Sequence, residues 1–289
     1  MQEPTFDSGV VRRPDGGRVV WRLDGATAEL GPMAVLLGPE HRTMAVWPAD
    51  AVAAVCSSES SCLRIDWRDQ GGSDGDALPL TLDTLCDDVL AAIDAVGSPQ
   101  VLVGVGLGAL VARHVSVARP GTDLVLVNAT DDYLATTVEG PDEADVVRVV
   151  LPLQDGRPEH ARRRLVREVR TLSGSAEGPD GEAGSIDAVV ERWLAAGQRS
   201  ADRHRSVLLT GHPPDRAREL DAARSVTVLH GVENRLVPIG HGAGVAARFG
   251  VPLRAVEGAG HHLGPLLRGH VIEVVTSLLT VPGPLRGGL

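Results

Sequence analysis

The 289-residue chain is 43% hydrophobic with a formal net charge of −10, which suits one large α/β domain, or a core domain with a cap, and excludes a general affinity for nucleic acid phosphates. All 28 basic residues are arginine, so Schiff-base or pyridoxal-phosphate chemistry on a lysine is excluded too. No apolar run approaches the roughly 18 residues that span a bilayer, and Met1-Gln2-Glu3-Pro4 opens neither a basic nor an apolar leader. No membrane association, no signal peptide and a cytoplasmic location are therefore expected. Cys56, Cys62 and Cys86 lack metal-like spacing with histidines and are expected as reduced thiols, with no metal and no other cofactor.

In chain order, short β-branched runs alternate with helical patterns, as in a mostly parallel sheet with crossover helices. Arg18 to Leu23 predicts an early strand and Met33 to Leu37 a buried one that ends at Gly38-Pro39. Ala49 to Val55 reads as a helix, Cys62 to Asp66 as a strand, and Leu82 to Val96 as a helix capped by Thr81. Val101 to Val103 is a strand, Leu107 to Val117 a helix and Asp123 to Val127 the next strand. The alternation then stops. Residues 135–222 are charged and broken by Gly and Pro, which predicts a helical cap with a loop at Ser173 to Gly184, inserted between core segments 1–134 and 223–289. Strands return at Val226 to Leu229 and Pro252 to Val256, and a helix closes the chain at Val271 to Leu279. There is no internal repeat.

Four segments carry a resemblance. Leu102-Val103-Gly104-Val105-Gly106-Leu107-Gly108-Ala109 resembles the Gly-x-Ser-x-Gly nucleophile elbow with glycine at the serine position. The run from His230 to Pro238 is similar to the segment bearing a triad acid, with Asn234 at the aspartate position. Val256 to His262 resembles the histidine turn and places the histidine at His261. Arg64 to Ser73 resembles the Asp-x-Arg-x-x-Gly-x-Ser loop of the same superfamily. Together they resemble the α/β-hydrolase fold, and within it the anthracycline (aclacinomycin-type) methylesterase group. The Asp66 to Ser73 loop, the phrase Thr171-Leu172-Ser173-Gly174 and the His230 to Leu263 run are in register with that group. A dinucleotide reading of Gly104 to Ala109 is disfavoured by its out-of-register third glycine and by the absence of a suitable acidic residue ending a following strand about 20 residues later.

The departures define the chemistry. Gly106 has no nucleophile oxygen. Asn234 can accept a hydrogen bond from His261 but brings no charge to stabilise an imidazolium. The Leu107 N–H remains as one oxyanion donor, whereas the second position, after Gly38, is Pro39, which has no N–H. Losing one such donor typically costs roughly 10²–10³ in rate. Gly106 is expected to open a void for a bulky substrate, against simple decay of the site. His261 is the candidate acid–base, and His262 an ordinary neighbour. Asp131, with Asp132 after the strand at Val127, either supplies the charge missing at Asn234 or is a turn carboxylate. Trp47, Trp67 and Trp193 line an aromatic-binding pocket or pack in the core. Arg162-Arg163-Arg164 reads as a solvated helix face.

The resemblance implies a non-hydrolytic, cofactor-independent enzyme of natural-product biosynthesis. It would hold an aromatic, anthraquinone-type polyketide between cap and sheet and promote carbon–carbon bond formation or cyclisation. A non-catalytic metabolite-binding protein, and a residual hydrolase using His261-activated water, are the alternatives. The expected partner is this small molecule; a homodimer is left open.

Overall fold

The computed structural model describes residues 6–25, 31–40, 42–56, 59–75, 79–133, 158–177, 186–195 and 202–280. Strands β1 (Phe6–Arg12), β2 (Arg18–Gly25), β3 (Met33–Leu37), β4 (Ser61–Ile65), β5 (Val101–Val105), β6 (Thr122–Val127), β7 (Ala223–Gly231) and β8 (Leu253–Val256) make one sheet in the order β1-β2-β4-β3-β5-β6-β7-β8. The β1–β2 and β2–β4 joins are antiparallel and the others parallel. This is the α/β-hydrolase fold expected from the sequence.

The central strands β3, β5 and β6 are buried along their whole length, which is why they read as unbroken apolar runs. Their side chains alternate between two cores. Val35, Leu37, Leu102, Leu124 and Leu126 meet helices α2 (Leu82–Val96) and α3 (Leu107–Ala118) and the helix α8 (Ile239–Phe249). Ala34, Leu36, Val101, Val103, Val125 and Val127 meet α1 (Ala49–Val55) and the closing helix α9 (Pro265–Thr280).

Expected and observed bounds coincide for β3, α1 and α2, and the Thr81 side chain caps α2 by accepting the Thr84 N–H at 3.1 Å. The strand expected from Cys62 starts and ends one residue earlier. The closing helix starts at Pro265, where a missing N–H costs nothing. Strand β1 and helix α8 were not expected.

Within the stretch read as a cap, the described helices are α4 (Pro158–Leu172), α5 (Ile186–Ala195), α6 (Asp202–Thr210) and α7 (Arg216–Ala222). Leu165 and Val169 of α4 and Ile186, Val190 and Trp193 of α5 form a separate apolar cluster. Arg162 is exposed and pairs with Asp187 and Glu191 of α5, as a solvated face should. Val207 and Leu208 of α6 join the sheet core, and α7 is tied to α3 by a buried ion pair between Glu219 and Arg113. The rest of that stretch, residues 134–157, 178–185 and 196–201, lies outside the described residues.

Two more buried pairs, Arg64–Asp24 and Arg68–Asp88, with N–O distances of 2.5 and 2.6 Å, tie β4 to β2 and the loop after β4 to α2. Cys56, Cys62 and Cys86 are free thiols, the first two with sulfurs 3.2 Å apart. Among the described residues no helix is long and apolar enough to cross a membrane.

Candidate active site

The turn between β5 and α3 is the geometric centre of the site. Gly106 has φ 54° and ψ −118°, a conformation that side chains rarely adopt, and its N–H is held by the Val127 carbonyl at 3.1 Å. The flanking glycines are required by space. A Cβ on Gly104 would lie 2.2 Å from the Gly108 carbonyl oxygen, and one on Gly108 would lie 2.5 Å from that of Leu37. Leu107 opens α3, so its N–H has no acceptor within the helix and stays available at the turn. Pro39 presents no second donor.

The space at the Cβ position of Gly106 is tight. A Cβ there would meet Oε2 of Glu40 at 3.1 Å and Cβ of Pro39 at 3.4 Å. Glu40 is buried, at 8% exposure, and its carboxylate lies against the Cβ position of residue 106. The buried phenol of Tyr133 is held well above its ordinary pKa, first by burial and then by the negative charge of Glu40. Sequence reasoning missed Glu40, although it is the residue next to the proline it did single out.

The loop bearing Glu40 is anchored from the side. Trp67 donates from Nε1 to the carbonyls of Gly38 and Pro39, 3.2 Å each. Asp66 accepts the Met44 N–H at 2.8 Å and the Gly72 N–H at 3.0 Å. Burial pushes the Asp66 carboxyl up in pKa, and the two N–H groups act against that push. Gly71, at φ 51°, passes so close that a Cβ would be 2.2 Å from Asp66 Oδ2. The Asp66 to Ser73 motif thus holds Gly38, Pro39 and Met44.

His261 and Asn234 come together as the motif order implied. His261 Nδ1 is 3.2 Å from Asn234 Oδ1. That oxygen also accepts the N–H groups of Leu236 at 3.1 Å and Val237 at 2.9 Å, which fixes which end of the amide is which. An oxygen facing Nδ1 makes Nδ1 a protonated nitrogen, and in the neutral imidazole this leaves Nε2 with the lone pair. The chain's other asparagine, Asn128, sits at φ 50° after β6 and joins the two loops. Its amide donates to the carbonyls of His261 at 2.8 Å and Gly260 at 3.3 Å, and its oxygen accepts the Gly231 N–H at 3.0 Å. A non-glycine residue at positive φ gives no signal in the sequence beyond being asparagine.

Two further histidines stay neutral. His230 lies wholly inside, donates from Nε2 to the Val237 carbonyl at 2.8 Å, and is pushed down to about 4 by burial. His262 is pushed down to about 3, first by burial. Its ring meets Trp193 edge-on, with centroids 5.6 Å apart, and the Arg42 guanidinium lies 4.0 Å over the opposite partner of that pair, the Trp193 ring. Arg42 in turn pairs with Glu168 of α4. Trp193 is therefore one residue away from His261, at the join of α4, α5 and the sheet. The same join is stitched by Leu172 and Ser175: His261 donates its N–H to the Leu172 carbonyl at 2.7 Å, and Ser175 donates its N–H and hydroxyl to Glu233 at 2.6 and 2.5 Å.

Two expected site residues lie elsewhere. Asp131 pairs with Arg113 at 2.6 Å and faces Arg248 at 3.9 Å, so its charge is committed to the α3–α7–α8 network while His261 faces Asn234. Trp47 packs with Val46, Val52 and Leu36 in the core beneath α1 and α9. Trp67, equally buried, holds the Glu40 loop instead of lining a pocket. Among the described residues no group of three or more His, Cys, Asp or Glu side chains is arranged to hold a metal ion.

A model of the alpha/beta hydrolase family matches residues 35–273. Over 79 residues the chain is 37% identical to the human mitochondrial palmitoyl-protein thioesterase ABHD10, covering 27% of this chain and 26% of that protein. The bovine protein of the same name is 35% identical over 92 residues, 31% of this chain and 28% of its own. The chain thus matches about a quarter of the length of these relatives. Among solved structures, a hydrolase from Pseudomonas aeruginosa PA01 superposes with a TM-score of 0.71 at 22% identity, covering 95% of this chain and 99% of that one. The enol-lactonase from Burkholderia xenovorans LB400 gives 0.72 at 20%, covering 94% and 100%, and a bromoperoxidase from Bacillus anthracis gives 0.72 at 15%, covering 95% and 100%. At these identities the likeness is one of fold.

Proposed function

This chain belongs to the alpha/beta hydrolase family, and from that premise we propose that it is a cofactor-independent, non-hydrolytic enzyme working by positioning and proton transfer. The observation that carries this reading is the pairing of His261 Nδ1 with Asn234 Oδ1, in a chain whose β5–α3 turn carries Gly106. The base and its orienting partner are kept, while the oxygen that would be acylated is absent. Acyl transfer needs a nucleophile, and its transition state needs paired oxyanion donors; Gly106 and Pro39 supply neither. A neutral base fixed in one tautomer suits removal of a proton from a phenol or from a carbon beside a quinone carbonyl.

The substrate class follows from the resemblance to the anthracycline methylesterase group and from Trp193 standing next to the histidine pair. In this reading an aromatic, anthraquinone-type polyketide lies between cap and sheet. Deprotonation by His261 Nε2 creates a carbanion or phenolate whose carbon adds to a carbonyl carbon of the same substrate; the C=O π pair becomes an alkoxide that takes the proton back from His261, and orientation of a substrate already reactive supplies much of the rate. A second reading, hydrolysis by water activated at His261, is favoured by the partial identity to a thioesterase.

Mass spectrometry of anthraquinone polyketides incubated with the enzyme separates the two. Cyclisation gives a product of unchanged mass whose formation is lost in His261→Ala while binding persists. A product that has gained water, or stoichiometric phosphonate labelling of a serine, overturns the proposal. Turnover that is absent in the wild type while the ligand binds identifies a non-catalytic binding protein.

A further inference from the structure

In a serine hydrolase the space at this turn receives a carbonyl oxygen that becomes negative, and everything around it is a hydrogen-bond donor. Here the polarity is reversed. The atom nearest to the Cβ position of residue 106 is a carboxylate oxygen, Glu40 Oε2, at 3.1 Å. Glu40 is 8% exposed, so water screens its charge poorly. Its backbone is held in place, because the preceding Gly38 and Pro39 carbonyls are both bound by the Trp67 indole at 3.2 Å. An ester oxygen entering this space would bring lone pairs, and then negative charge, against a carboxylate.

We propose that Glu40 has taken over the turn as the ligand-facing group of the site, selecting a hydroxyl or other hydrogen-bond donor where a serine turn receives an ester carbonyl. The inference rests on the reading that the site transfers protons rather than acyl groups, and it gives that reading a substrate requirement: a phenol or enol O–H at the Glu40 end, with the proton to be removed within reach of His261. A carboxylate–hydroxyl hydrogen bond is charge-assisted and stronger than a neutral one, so the selection is sharp.

Two measurements test it. The first needs no knowledge of the ligand. Gly106→Ser combined with Asn234→Asp restores a serine and a charged partner for His261, and its rate of labelling by a fluorophosphonate is compared with and without Glu40→Ala. Removal of Glu40 is expected to speed labelling roughly tenfold or more. Equal rates in folded proteins show that Glu40 does not occupy the turn and overturn the proposal. Glu40→Gln, which keeps the shape and removes the charge, gives the same comparison if the alanine variant melts early.

The second measurement is calorimetric binding of a dihydroxyanthraquinone and of its dimethyl ether. Wild type is expected to prefer the free hydroxyls by roughly tenfold, and Glu40→Leu to lose that preference. A preference unchanged in folded Glu40→Leu overturns the proposal. If neither compound binds wild type, the aromatic-ligand reading of the preceding section fails, and the labelling comparison decides for or against Glu40 by itself.

Discussion

Asn234 Oδ1 accepts from His261 Nδ1 at 3.2 Å while also taking two backbone N–H groups, from Leu236 and Val237. Three donors on one amide oxygen fix the ring of His261 without charging its surroundings. Replacing the amide by a carboxylate in the same place keeps all three bonds and adds a negative charge beside the ring. Asn234→Asp is therefore expected to raise the pKa of His261. The same change should leave the melting temperature nearly unaltered. Histidine ring shifts followed by NMR through a pH titration measure the effect, and an unmoved His261 midpoint would show that the two side chains are not coupled in solution.

The turn itself stores strain that a mutation can expose. At φ 54° and ψ −118° any Cβ on residue 106 is disfavoured, and Glu40 Oε2 leaves it only 3.1 Å. Gly106→Ala should cost about 1–3 kcal/mol, with a backbone part and a contact part. Adding Glu40→Ala removes the contact part, so the pair of mutations should be non-additive by about 0.5 kcal/mol or more in a double-mutant cycle from urea unfolding. Strict additivity would mean that Glu40 yields its position freely.

Trp67 has a role that size does not reveal. Its Nε1 donates to two carbonyls of the loop that carries Glu40, and phenylalanine would keep most of the packing and lose both bonds. Trp67→Phe should lower stability by about 1 kcal/mol, a fall in melting temperature of about 2–4 °C. A larger consequence is expected for ligand selection, because the Gly38–Pro39 carbonyls are released. Calorimetry of the quinone pair on Trp67→Phe checks this, with a narrowed preference as the expected result.

The buried histidines set a pH limit. His230 is neutral in the folded protein down to about 4, whereas a histidine in the unfolded chain takes its proton near 6.5. Between these values the unfolded state binds the extra proton, so stability falls as pH drops from 6.5 to about 4 and levels off below. The loss due to His230 is on the order of 3 kcal/mol. His262 acts in the same direction. Because Asp66 and Asp88, both pushed up by burial, work in the opposite sense, the comparison to make is wild type against His230→Asn. The variant should show a flatter dependence of unfolding free energy on pH over this window, and parallel curves would remove His230 as the cause.

How much of this was legible depended on what burial does to a sequence. Met33 to Leu37 and Asp123 to Val127 are covered on both faces, so they read as apolar runs, and Thr81 announced its helix by its hydroxyl. The edge strand Phe6–Arg12 carries Asp7, Ser8 and Gly9 and pairs on one side only, so nothing in it stands out. Ile239–Phe249 is built of small residues, with four positions of Gly or Ala before Val245 breaking the apolar spacing. The His261–Asn234 pair was visible because its loops keep a recognisable order. Glu40 was not, since a lone acid after a proline gives no pattern and its approach to Gly106 exists only in three dimensions. Asp131 shows the converse: a well-placed acid whose charge is claimed by an arginine far along the chain from the histidine.

Among the described residues the internal ion pairs Arg64–Asp24, Arg68–Asp88, Arg113–Glu219 and Arg42–Glu168 all rely on guanidinium groups. An ammonium in their place would begin to shed its proton near pH 10.4, and the fold would come apart from within in alkaline solution. Guanidinium does not, and Asp88 pushes that of Arg68 higher still. The girders of this protein can thus be dissolved only from the acidic side. Storage in mild base should leave the framework standing, and the buried Cys62 thiol, pushed up by its contact with Cys56 and by burial, stays protonated within it.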